Sequence, residues 1–131
     1  MKPFPLFAVL LALGCTQAPA QHNQVSAANA ALREEAERLD LMERIEREVR
    51  LPPGADPLSS YSHSYAWQQR ADGVRKVAAY YESLTGNFRG MRRWTTEREF
   101  PMIADGGCGV VTFIYDVATH RFEDMRCNGV A

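Results

Sequence analysis

Three observations predict an α+β fold, a long helix followed by a short helix and a small antiparallel sheet of three to five strands. Residues 31–50 lack Gly and Pro and set acids four residues ahead of arginines. Beyond residue 74, apolar and polar residues alternate. Cys108 and Cys127 frame the last two β-rich runs.

The chain opens on Lys2, an unbroken apolar run from Leu6 to Leu13, and a small-residue segment ending in Ala18-Pro19-Ala20. That is the layout of a secretory signal peptide over residues 1–20, and the apolar run is too short to span a bilayer. Two endings compete. Cleavage after Ala20 leaves Gln21 first, whereas Leu11-Ala12-Leu13-Gly14-Cys15 resembles a bacterial lipobox, in which Cys15 is acylated and anchors the protein to the outer membrane. Either ending places the protein in the periplasm or cell envelope.

Without the leader, 111 of 131 residues remain, enough for one modest core. Loss of Lys2 takes the formal net charge from −1 to −2, which argues against a nucleic-acid partner. Cys15 is discarded or lipidated, leaving Cys108 and Cys127 as an even pair in an oxidising compartment, so a disulfide is expected.

Residues 21–30 are Ala, Asn, Gln and Ser with few large apolar residues, and read as a polar tether or a frayed helix start. Residues 31–50 form the charged amphipathic helix, with Glu34–Arg38, Asp40–Arg44, Glu43–Arg47 and Glu46–Arg50 as i,i+4 pairs. Its apolar stripe comprises Val25, Ala28, Leu32, Ala36, Leu39, Met42, Ile45 and Val49, close to a 3.5 repeat. The stripe suits either the protein's own domain or a coiled-coil partner, and three weak heptads favour its own domain.

Pro52-Pro53-Gly54 stops the helix, and residues 51–131 form the small α+β domain. Asp56-Pro57 predicts a short helix carrying Leu58, Tyr61 and Tyr65 and ending near Trp67. Residues 68–70 and 74–81 flank an Ala71-Asp72-Gly73 turn as a hairpin. Residues 91–96 read as a strand around Trp94. A last hairpin pairs residues 109–115 with 120–127 about a turn at Asp116–Thr119, with Tyr115 opposite His120, Val111 opposite Asp124, Phe113 opposite Phe122 and Cys108 opposite Cys127. A Cys108–Cys127 bond would staple its open end, worth about 3 kcal/mol in the chain-entropy model.

Chemistry is sparse. His22, His63 and His120 show no metal-ligand spacing, and no nucleophile elbow or phosphate loop is present, so no metal, cofactor or catalytic residue is assigned. Asp105-Gly106-Gly107-Cys108 reads as a turn before the last hairpin. Acid–base pairs of His63 with Asp105 or His120 with Asp124 define the enzyme alternative. Arg89, Arg92, Arg93 and Arg98 around Met91 and Trp94 could face an anionic membrane surface or an acidic envelope protein partner; the plainer reading is a solvated face with Trp94 turned inward.

From Leu51 onward the chain resembles small uncharacterised envelope proteins of alphaproteobacteria. The match lies in Leu51-Pro52-Pro53-Gly54, Pro57-Leu58-Ser59, Asp105-Gly106-Gly107-Cys108, Tyr115-Asp116 with Thr119, and Cys127-Asn128-Gly129. The resemblance implies an exported single domain and brings no catalytic or binding residue with it. The layout is also similar to small lipoproteins that serve outer-membrane assembly machines, a likeness of layout alone. The expected function is therefore a non-catalytic binding or accessory subunit, the alternative being a small periplasmic enzyme using His63 or His120.

Overall fold

The computed structural model describes residues 19–68 and 72–129, with side chains from residue 23. Residues 1–18 of the leader, Cys15 among them, and most of the expected strand at residues 68–70 lie outside the described residues. The chain divides into two units, Met1–Glu35 and Ala36–Ala131. Helix α1 runs Pro19–Glu48. The segment read as a tether at residues 21–30 is therefore helical: its alanines and glutamines are good helix formers, and no Gly or Pro follows before Pro52. Within the first unit Val25 and Leu32 are exposed.

In the second unit the helix makes one layer and a five-stranded sheet the other. The strands are β1 (Ser62–Trp67), β2 (Lys76–Glu82), β3 (Arg92–Trp94), β4 (Val110–Asp116) and β5 (Arg121–Cys127), in the spatial order β3-β1-β2-β4-β5. All neighbours are antiparallel except β1 and β3, which run parallel along one edge. The α+β class holds, with this one parallel pairing added to the expected antiparallel sheet.

Leu41, Met42, Ile45 and Val49 of the helix and its C-terminal continuation enter the core against Tyr61, Tyr65, Val77, Tyr81, Val111, Phe113 and Tyr115. The stripe therefore packs on its own domain over these residues. The buried positions follow a 3.6 repeat, so Leu41 is buried while Leu39 stays 47 % exposed. Of the expected ion pairs, Asp40–Arg44 forms at 2.7 Å. Arg50 instead donates to the Val49 carbonyl at 2.9 Å, satisfying the helix end, and Glu46 turns inward.

The short helix expected over residues 58–67 is a single 3₁₀ turn, Leu58–Ser60, followed by β1. Tyr61 and Tyr65 are four apart, a spacing shared by a helix face and by every second position of a strand. The intervening His63 and the following Trp67 select the period of two. The hairpin partner of β2 is accordingly residues 62–67, paired from Ser62–Glu82 to Trp67–Val77, rather than 68–70.

The last hairpin is present with a different register: Tyr115 faces Phe122, Asp116 faces Arg121 and Val111 faces Cys127. The turn moves to residues 117–120 because the Asp116 carboxylate accepts the amides of Ala118 and Thr119, both at 2.9 Å. Those bonds hold its carboxyl below the usual carboxylate range. Between Thr112–Arg126 and Ile114–Glu123, two residues of β5 oppose one of β4. This bulge is marked by Asp124 at φ 52°.

The disulfide joins Cys108 and Cys127 as expected. It tolerates the changed register because Cys108 precedes β4, on a 3₁₀ turn at Gly107–Gly109. Gly107 has φ 50°, a conformation that favours glycine, and a Cβ on Gly109 would displace the Leu84 side chain.

Two measurements check this architecture. Cys108→Ser with Cys127→Ser is expected to lower unfolding stability by about 3 kcal/mol while leaving the helical circular-dichroism signal in place. Ile45→Ala is expected to cost about 2–5 kcal/mol in urea unfolding, whereas Leu39→Ala should stay within about 0.5 kcal/mol of the parent.

Candidate functional site

Strand alternation gives the sheet two unlike faces. Tyr61, just before β1, and His63 and Tyr65 within it lie with Tyr81 of β2 on the face under the helix. Ser62, Ser64 and Ala66 of β1 lie with Ala78, Tyr80 and Glu82 of β2 on the other. Both faces of β1 and β2 are largely buried, so each needs cover.

Beneath the helix, Glu46 collects the buried polar groups. Its Oε1 accepts from His63 Nδ1 at 2.9 Å and from the Tyr65 hydroxyl at 3.1 Å. Tyr65 spends its one hydrogen on that carboxylate, so the Tyr81 hydroxyl, 2.7 Å away, donates to Tyr65. Arg92 lies 3.5 Å from Glu46 Oε2. His63 Nε2 is 3.0 Å from the Leu58 carbonyl. The ring is thus held at both nitrogens, by a carboxylate on one side and a backbone carbonyl on the other. Burial raises both Tyr65 and Tyr81 well above the ordinary phenol range, keeping them protonated donors.

The opposite face carries a cavity of about 410 Å³. Its floor is Ser62, Ser64, Tyr80 and Glu82; its other walls include Thr85, Phe88, Met91, Arg93 and Pro101. The pairing of strands aligns Arg93, Ser64, Tyr80, Thr112 and Arg126 in one row across the sheet, with an arginine at each end. Arg93 Nε donates to Ser64 Oγ at 3.0 Å, which fixes the guanidinium at the cavity wall. Both Glu82 oxygens are engaged by Thr85, through its amide at 2.7 Å and its hydroxyl at 3.1 Å.

Tyr80 is the unusual member. Its side chain is 7 % exposed, it packs against Phe100 with ring centroids 5.6 Å apart, and its buried hydroxyl has no hydrogen-bond partner among the described residues. Burial pushes this phenol up, so it remains a protonated donor. A buried hydroxyl left without a partner costs about 1–3 kcal/mol. A second cavity of about 290 Å³ lies on the same face beyond Phe100, reaching Thr112 and Arg126.

The expected acid–base pairs are not formed. His63 meets Glu46 rather than Asp105, and exposed His120 lies 3.2 Å from Arg44 Nη1, which donates to it. Asp124 sits in the β5 bulge, and Gly106-Gly107-Cys108 makes the turn before β4. Trp94 turns inward, 6.4 Å from Tyr65 and 5.0 Å from Trp67 between ring centroids, while Arg89, Arg92 and Arg93 are exposed around it. Among the described residues, no group of three or more His, Cys, Asp or Glu is placed to hold a metal ion, and no helix is long and apolar enough to cross a membrane.

Sequence reasoning missed Glu46 and Tyr80. The only signal for Glu46 was its position one residue after buried Ile45. For Tyr80 it was the small residues Ser64 and Ala78 opposite and beside it once the register is known. Comparison with protein-family models, curated proteins and solved structures finds no match to this chain.

Glu46→Gln removes the charge that His63, Tyr65 and Arg92 share. Urea unfolding is expected to show a loss of about 1.5–3 kcal/mol, the range for hydrogen bonds to a charged group, with the β signal of the folded state retained.

Proposed function

We propose that this chain is an exported, non-catalytic binding protein of the bacterial envelope, and that the cavity on the uncovered side of β1 and β2 is its binding site. The observation that carries the reading is the cavity itself, about 410 Å³ over a floor of Ser62, Ser64, Tyr80 and Glu82, with the exposed apolar side chains of Phe88 and Met91 and the anchored Arg93 in its walls. Sites of this size and make-up bind small molecules through an apolar body and a few placed polar groups.

His63, the one imidazole at the cavity, has its two ring nitrogens committed to Glu46 and the Leu58 carbonyl. That commitment favours binding over acid–base catalysis. The Glu46–His63 pair is the feature that supports the enzyme alternative, and it would have to release Leu58 to act. The Cys108–Cys127 bond is compatible with an oxidising compartment and supports export. Exposed Arg89, Arg92 and Arg93 beside Phe88 and Met91 suit a position near the anionic envelope surface.

Fractionation with intact-mass measurement tests the location. The expected result is a periplasmic or outer-membrane protein that begins at Gln21 or at an acylated Cys15. A cytoplasmic product retaining Met1, with both remaining thiols open to alkylation, would overturn the reading.

A further inference from the structure

We propose that the cavity holds a small molecule by an uncharged apolar body, one medium-length chain or one ring system, and selects neither sign of head group, a ligand class that rests on the reading of this cavity as a binding site.

The polar groups around the cavity are spent within the protein. Ser62 Oγ donates to the Glu82 carbonyl at 3.2 Å, and Ser64 Oγ accepts from Arg93 Nε at 3.0 Å. The Glu82 carboxylate takes the amide and the hydroxyl of Thr85. The His63 ring is held between Glu46 and the Leu58 carbonyl, and Arg92 lies 3.5 Å from Glu46. Hydrogen bonds from Thr95 and Thr96, with Arg93 nearby, hold the Glu99 carboxyl below its usual range, so Arg93 already has an ionised acid in its field. The Tyr80 hydroxyl is shut off from solvent and offers a ligand no hydrogen bond. Charges of both signs thus stand around the cavity, each beside an opposite charge or a hydrogen-bond partner. A charged head group drawn inside would shed its water and gain only by displacing a pairing the protein makes already. An apolar body loses no hydrogen bond on entry.

The walls supply the gain. Phe88 and Met91 are 56 % and 58 % exposed, large apolar side chains at the cavity that a bound apolar group takes out of water. A volume near 410 Å³ is at the small end for ligand cavities, which suits one chain or one ring system and leaves the head group in solvent.

The test is calorimetric titration of the full chain with decanol, hexanol, decanoate and decylamine. Decanol is expected to bind about tenfold or more tightly than hexanol, because its longer chain takes more methylenes out of water, and with a negative heat-capacity change. Decanoate and decylamine should bind within about threefold of one another, neither more tightly than decanol, and added salt should weaken none of them. These comparisons use the unaltered chain. Phe88→Ser with Met91→Ser should weaken decanol about tenfold or more while the ligand-free unfolding midpoint stays put, since both side chains stand largely in solvent.

A tenfold or greater difference between decanoate and decylamine overturns the ligand class and leaves the cavity as a binding site. Equal affinity for decanol and hexanol, or decanol affinity unchanged in the folded double variant, overturns apolar recognition at this cavity. No binding of any of the four overturns the binding-site reading as well, whereas the envelope location is read separately from fractionation and mass.

Discussion

A carboxylate drawn into the layer between helix and sheet must be met by donors, and much of this domain is arranged around meeting that demand at Glu46. One oxygen takes hydrogen from His63 and Tyr65, and the other faces Arg92. These donors come from β1 and β3, so one side chain on the helix ties two neighbouring strands to it. Tyr81 extends the chain of hydroxyls to β2. Apolar packing of Ile45 and Val49 supplies attraction without direction; the Glu46 contacts fix where along β1 the helix sits. A one-residue slip of β1 would bring Ser62 or Ser64 under Glu46 and send His63 to the other face.

The same alternation creates the second face. Tyr61, His63 and Tyr65 fill the side under the helix, leaving small side chains at Ser62, Ser64, Ala66 and Ala78 opposite them. Small residues on a sheet surface make a depression unless something large descends into it. Here the connections on either side of β3 cover part of it, with Phe100 on Tyr80 and Leu84 against Gly109. The two cavities lie on either side of that Phe100 contact. The hollow is thus a consequence of spending the aromatic residues of β1 on the helix side. Tyr80 is the large residue left on the far side, flanked across the sheet by Ser64 and Thr112.

The legible parts of the fold were those set by strong local chemistry. An uninterrupted charged run made the helix, Pro52-Pro53-Gly54 stopped it, and the two cysteines at the open end of the last hairpin found each other. Tyr61 to Trp67 was misread because its aromatic pair at a spacing of four satisfies both helical and strand periods. Asp56-Pro57 adds a helix-start signal, whereas Asp56 accepts from the Ser83 hydroxyl and donates its amide to the Tyr61 hydroxyl instead of capping a helix. Only pairing with β2 and β3 distinguishes the two, and that information is held ten and more residues away.

The site was harder to read, for a related reason. Glu46 was assigned to a surface pair with Arg50, since i,i+4 spacing is all that sequence reveals of a helical charge. Its true partners sit on other strands, the nearest His63, and no local pattern marks a carboxylate as inward. The disulfide, by contrast, survived an error in register. Cys108 lies on the Gly107–Gly109 turn outside the ladder, so its sulfur reaches Cys127 although Cys127 pairs with Val111. Covalent pairing needs only proximity at one end of the hairpin, while the bulge at Asp124 and the Asp116 turn decide every residue between. A cross-link is therefore a weak constraint on register, and the side-chain rows that build a cavity depend on register throughout.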